Sequence, residues 1–279
     1  PRGAAAEKVE QACHPVELRG EELEKYQILV SSNVGSAVLH GDIIREWQAH
    51  IVALQEIKCD PAQLVGQFWE CKEKGWLWTA GEALRRKDRQ KRNAGGPEGD
   101  IGCGGTAIMT KDPIPQTRVR PKDDDERELF DTGRWCASEI PIALATRMML
   151  LHNFYGVAGN SLAKRRENER WLRILLDILK KAGKLIPVVC CMDANVGIDQ
   201  HDLLQNFMRV HGFREAAHLH HSKGGEPPQP TYALNSKFGE DGVNRTRPDT
   251  ILFNDCAAQM FRGLELLSSC LLYTSDAAD

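Results

Sequence analysis

Two rhythms of apolar residues run along this chain. Short, nearly continuous apolar runs read as strands, and longer stretches with one apolar face read as helices. A strand begins at residues 27–30 and runs to Asn33; a helix follows over 38–47, with Ile43, Ile44 and Trp47 on one face. Residues 50–54 form a second strand, ending at Gln55-Glu56. Pro61 opens a helix reaching about Lys74, since proline is tolerated in a first helical turn. Residues 76–78 are a short strand. Segment 81–100 carries Arg85-Arg86-Lys87, Lys91-Arg92 and Gly95-Gly96-Pro97, and reads as an exposed loop.

The second half repeats the theme. Strands are predicted over 104–110, 135–140 and 148–155, with a turn at Pro141, and residues 121–131 read as a charged loop. An amphipathic helix spans 164–181 with Leu172, Leu175, Leu176 and Leu179 on its apolar face. A buried strand spans 185–192, and a helix over 201–211 is ended by Gly212. Residues 222–229 are a Gly/Pro-rich loop, and 231–233 and 248–253 are the last strands. Strands interleaved with helices and hairpins predict an α/β fold of two stacked sheets flanked by helices.

Composition narrows the classes. With 279 residues, 42% of them hydrophobic, the chain can bury a core without disulfides or a structural metal. Its net charge of −3 provides no general basic field, so any nucleic-acid contact must come from local basic patches. The nine cysteines are odd in number and irregular, and none has the C-x-x-C spacing of a zinc site. Cys190 and Cys191 lie in an apolar run, where cysteine acts as a small hydrophobe. Reduced thiols and an intracellular location, nuclear or cytoplasmic, are expected. No apolar run approaches the ~18 residues of a membrane span, and no membrane partner is expected.

Chemistry is expected where buried strands end in polar residues. Ser31-Ser32-Asn33 ends in an amide, and Leu54-Gln55-Glu56 in a carboxylate. Cys191-Met192-Asp193-Ala194-Asn195 ends in both, and Arg247-Pro248-Asp249 opens the last strand. Strand alternation would put Asp193 and Asn195 on one side, with Ala194 opposite. Such oxygen donors suit a hard divalent cation. Each segment alone has an ordinary reading. A strand-end glutamate is commonly a solvated or capping group, D-x-N is a frequent turn, and Asp249 can cap its strand.

Taken in order, these segments resemble the endonuclease/exonuclease/phosphatase superfamily, which includes apurinic-site endonucleases and the endonuclease domains of non-LTR retrotransposons. Ser32-Asn33-Val34 is similar to its first-strand asparagine, and Leu54-Gln55-Glu56 to its L-Q-E motif. Gly104-Gly105-Thr106-Ala107-Ile108 is similar to its G-G-x-A-I strand. Asn153-Phe154-Tyr155 resembles its N-x-Y strand, Asp193-Ala194-Asn195 its G-D-x-N motif, and Arg247-Pro248-Asp249-Thr250-Ile251-Leu252 its R-x-D-x-I-L strand. The resemblance implies a four-layered α/β sandwich of two packed mixed sheets flanked by helices. It implies that Glu56, helped by Asn33, binds Mg2+ or Mn2+. Asp193 would orient or deprotonate water, Asn195 and Tyr155 would bond the phosphate, and Asp249 would support a histidine. Substrate binding is expected of Asn153 and of the basic cluster Arg85, Arg86 and Lys87.

This sequence departs from the family pattern at several positions. Met192 stands where glycine is usual, and Gly156 follows Tyr155 where a bulkier residue is common. The family's Ser-Asp-His is replaced by Ser275-Asp276-Ala277. The histidines His211, His218, His220 and His221 precede Asp249 and lie in a helix end and a loop. Residues 270–279 resemble a translated sequencing adapter, so the expected organisation is a polar lead-in over 1–25, the domain over 26–269 lacking its last strand, and an adapter-derived tail. The motif spacing most resembles retrotransposon endonucleases, which predicts a DNA partner and a monomeric domain of a longer polyprotein. An RNA deadenylase, a lipid or inositol phosphatase, and a non-catalytic binding module are the alternatives.

Overall fold

The apolar runs build two mixed sheets that stack face to face. A computed structural model of the chain describes residues 26–82, 105–142, 147–159, 161–228, 232–233, 245–246 and 249–264. Strands β1 (Leu29–Asn33), β2 (Ile51–Gln55), β3 (Trp76–Ala80) and β4 (Thr106–Lys111) form one sheet in the order β1-β2-β4-β3. Strands β5 (Thr117–Arg118), β6 (Trp135–Pro141), β7 (Met148–Tyr155), β8 (Val188–Asp193), β9 (Phe213–Glu215) and β12 (Asp249–Asn254) form the other. Its order is β5-β6-β7-β8-β12-β9. The short strands β10 (Tyr232–Ala233) and β11 (Arg245–Thr246) pair separately. Each sheet contains one parallel pair, β1 with β2 and β7 with β8.

The central strands are apolar throughout because both their faces are covered. In β2, Ile51 and Ala53 face the second sheet, while Val52 and Leu54 face helices α1 (Ala37–Arg45) and α2 (Pro61–Glu73). In β8, Val189 and Cys191 face the first sheet. Val188, Cys190 and Met192 pack instead on Leu172, Leu175 and Leu179, which lie on the long helix 162–181. The result is the predicted four-layered sandwich. Met192, which stands where glycine is usual, therefore fills core. The cysteines at 59, 71, 136, 190, 191 and 256 are free thiols.

Local signals set the boundaries. Asp60 and Gln63 form a reciprocal capping box around Pro61. Residues 121–131 were expected to be a loop, yet Asp124–Asp131 is helix α3. Asp123 caps it by accepting the Glu126 N–H at 2.9 Å, and the acidic first turn favours the positive end of the helix dipole. Buried Leu129 anchors it. Ser161 caps helix α4 (Leu162–Lys181). Helix α5 (Asp202–His211) ends as expected at Gly212, whose φ of 71° suits glycine. The following residues form β9 and helix α6 (Ala216–Ser222), so His218, His220 and His221 lie on a helix and not in a loop. Helix α7 (Asp255–Ala258) closes the described fold. Among the described residues, no helix is long and apolar enough to cross a membrane.

Asn153 has a different place from the one expected. It is fully buried on β7 and faces the other sheet, not the open end. Its amide donates to Leu54 O (2.7 Å) and Ala107 O (2.8 Å), and its oxygen accepts from Gln55 Nε2 (2.6 Å). It ties β7 to β2 and β4.

Candidate active site

Polar strand ends from both sheets meet at one edge of the sandwich. Strand register places Tyr155 opposite Asp193, and Asp193 opposite Asp249, in one row across β7, β8 and β12. Residues paired in this way project from the same face of a sheet. From the other sheet, Asn33 reaches across and donates its amide to Asp193 Oδ2 at 2.8 Å. Asn33 is itself fixed by the Gly35 N–H, which donates to its oxygen at 3.1 Å. Glu56 follows the last residue of β2. Thus Asn33, Glu56, Tyr155, Asp193, Asn195 and Asp249, distant in sequence, share one end of the fold.

Asp193 is the best-defined member. Its second oxygen accepts the Asn195 N–H at 3.0 Å, so two donors hold the carboxylate. Burial nevertheless raises its pKa, and the charge of Glu56 adds to the rise, outweighing the two hydrogen bonds. A raised carboxyl pKa contributes stability below its unfolded value, near 3.8, and that contribution is lost as pH rises through the folded pKa. Carboxyl-detected NMR titration of the metal-free protein is expected to show Asp193 titrating above 3.8, with Glu56→Gln moving it down. A midpoint below 3.8 would remove the electrostatic account of this site.

Alternation does not place Asn195, because β8 ends at Asp193 and Asn195 adopts a left-handed φ of 50°. Its amide donates to Gly156 O at 3.1 Å, and its side chain meets the Tyr155 hydroxyl. The Gly156 N–H donates in turn to Asp193 O at 2.7 Å. A Cβ on Gly156 would lie 2.5 Å from Ala194 O, so the close crossing of these two loops accounts for the small residue there. The Tyr155 hydroxyl is held in its neutral, donating form by burial and by the negative charges of Glu56 and Asp193.

Two supports escaped sequence reasoning. Asn168 of α4 is buried; its oxygen accepts from Val157 N (2.8 Å) and its amide donates to Ala194 O (2.9 Å). It clamps both loops at once. Arg134 donates to the carbonyls of Tyr155 (3.3 Å) and Gly156 (2.7 Å) and lies 5.6 Å from the Tyr155 ring centre. Asn168 interrupts the apolar face of a helix, and Arg134 sits at a strand entry beside Gly133; those were the available signals. Arg85, Arg86 and Lys87 lie outside the described residues.

Glu56 also carries a left-handed backbone, with φ of 57°, and its Oε1 lies 3.1 Å from Lys58 Nζ. For a residue with a Cβ, that conformation costs roughly 1–2 kcal/mol. Strain of this kind collects at functional positions. Among the described residues, no three His, Cys, Asp or Glu side chains converge as a dense metal cluster. Magnesium does not need one, because it takes one or two carboxylates and keeps several waters. Glu56 and Asp193 are hard oxygen donors close enough for one to raise the other's pKa, and a cation would relieve that repulsion. The donor set fits a divalent ion.

No family model and no curated protein sequence matches the chain. Solved structures do. An AP endonuclease from Archaeoglobus fulgidus superposes with a TM-score of 0.60 at 18% identity, covering 84% of this chain and 88% of that one. The catalytic domain of Xenopus laevis APE2 gives 0.61 at 15% identity, covering 83% of each chain. The endonuclease domain of TRAS1, a telomere-specific non-LTR retrotransposon, gives 0.50 at 12% identity, with 86% and 90% covered. Two stacked mixed sheets, the row of polar strand ends and these superpositions agree: the chain has the endonuclease/exonuclease/phosphatase fold.

Proposed function

We propose that the chain is a divalent-metal-dependent phosphodiesterase acting on DNA, an endonuclease of the non-LTR retrotransposon type. The observation that carries this reading is the Asn33–Asp193 hydrogen bond, which joins the two sheets at the point where Glu56, Tyr155, Asn195 and Asp249 also end. Glu56, with Asn33 nearby, is the proposed holder of Mg2+ or Mn2+. When bound, such an ion supplies Lewis-acid polarisation of the phosphoryl oxygen. Asp193, with its raised pKa and two fixed donors, orients the attacking water and takes its proton. Asn195 and the neutral Tyr155 hydroxyl donate to the phosphate oxygens as charge builds on them. Asp249, facing Asp193 across the sheet, is the carboxylate that the resemblance assigns to fixing an acid/base imidazole. The 279 residues contain no Ser-Asp-His, so this chain is proposed to bind metal and substrate and to turn over slowly. The DNA and retrotransposon parts of the reading rest on the compact spacing of the motifs from Asn33 to Asp249; the TRAS1 domain shares the fold.

Nicking of supercoiled plasmid with protein in excess tests this. Mg2+-dependent conversion to the open circle is expected, with loss on chelation and a fall of about a hundredfold in Glu56→Gln. Shortening of poly(A) RNA, or phosphate release from inositol phosphates without nicking, would move the substrate class. Metal binding without any hydrolysis would make the chain a binding module.

A further inference from the structure

Among the described residues, only Glu56, Lys58 and Asn195 combine a positive φ with a side chain other than glycine's. Two of these belong to the proposed centre. We propose that the third, Lys58, is the resident counter-cation of the metal site: its ammonium neutralises Glu56 until a divalent ion binds there, and is then released to a phosphate of the substrate. The inference rests on the reading of Glu56 as the metal ligand.

The pair is built in, not a chance surface contact. Lys58 Nζ lies 3.1 Å from Glu56 Oε1, and the two side chains are only 22% and 23% exposed. Screening and side-chain freedom, which make exposed ion pairs weak, are reduced at such a site. Between them, Ile57 is buried and pinned on both sides. Its N–H donates to Gly105 O at 3.3 Å, and its carbonyl accepts the Ala37 N–H at 2.9 Å. With Ile57 fixed, the backbone at φ 57° and 48° delivers both charged side chains to one place. A glycine at 58 would adopt this turn without strain, whereas a lysine does not, and strain retained at a charged residue points to use of that charge.

The electrostatics then decide the roles. Glu56 faces the charge of Asp193, so without an ion the site needs a cation, and Lys58 supplies one. A divalent ion on the same carboxylate and an ammonium a few ångströms away repel each other. The ion therefore displaces the lysine. A displaced ammonium beside a bound phosphodiester finds its next partner in a phosphate oxygen. Lys58 thus weakens metal binding and strengthens substrate binding, two effects of opposite sign that a purely structural lysine does not produce.

Calorimetric titration of Mn2+ into the full chain tests the first effect, and fluorescence anisotropy of a short DNA duplex in the presence of metal tests the second. Lys58→Met is expected to bind Mn2+ about tenfold more tightly and the duplex about tenfold more weakly, while Lys58→Arg stays near wild type in both. If Lys58→Met does not melt cooperatively, Lys58→Gln carries the same expectation. Saturable wild-type Mn2+ binding that Glu56→Gln abolishes, but that Lys58→Met leaves equal or weakens, overturns the role of the lysine alone. Mn2+ binding that is absent, or indifferent to Glu56→Gln, overturns the Glu56 reading and this one with it. Tighter Mn2+ binding with unchanged duplex affinity overturns the transfer to phosphate.

Discussion

Asp193→Asn is expected to slow metal-dependent hydrolysis by about a thousandfold or more, with the fold intact. The reason lies in the two donors that face this carboxylate, Asn33 Nδ2 and Asn195 N. A carboxylate accepts from both and still has lone pairs for a water. An amide of the same shape has one oxygen, so one donor is left facing an NH2 group. It is also no base. Wild-type rates should fall at low pH as Asp193 takes up a proton, because the proton acceptor is the ionised form, and this acid limb should be missing from the variant's residual rate. Single-turnover nicking across pH measures both. A variant within about threefold of wild type would remove Asp193 from the chemistry.

Asn153→Leu is expected to cost about 3 kcal/mol of stability, at about one per hydrogen bond lost. Three bonds disappear together, to Leu54 O, Ala107 O and Gln55 Nε2. Leucine keeps asparagine's branched outline but has bulkier methyl ends, so no cavity forms and crowding adds to the loss. In a domain of this size that cost corresponds to a fall in Tm on the order of 10 °C. The effect reaches the site as well, because β2 carries Glu56 beyond its end and β7 ends in Tyr155. Chemical and thermal unfolding measure the loss. If stability is unchanged, the amide is not what holds the sheets in register.

The same residue shows how far the sequence could be read. Asn153 and Tyr155 are two apart on β7 and must share a face. The motif could therefore be seen, but the depth of each residue could not. Tyr155 stands at the rim and Asn153 one step inside, and only the opposing sheet decides which is which. The strand-end residues were legible because each borders a local apolar run: Asn33, Glu56 and Asp193 close one, and Asp249 opens one. Arg134 and Asn168 act through carbonyls and amides of other segments, so their own neighbourhoods showed an unusual residue but not what it holds. Helix α3 was hidden because its capping and dipole-favoured acids, Asp123 to Glu126, also make a segment look like a solvated loop. Asn195 broke the alternation that predicted its direction because β8 ends two residues earlier, and its left-handed turn brings it to Tyr155 by another route.

Glu56 is the proposed entry point of a divalent cation, and Asp193 the proposed base beside it. Anomalous diffraction from a crystal of the protein soaked in Mn2+ tests this most directly. A peak at ligand distance from the Glu56 carboxylate, absent from Glu56→Gln crystals, is the expected result. A Mn2+ peak bound elsewhere on the chain, with the Glu56–Lys58 ion pair still closed, would contradict it.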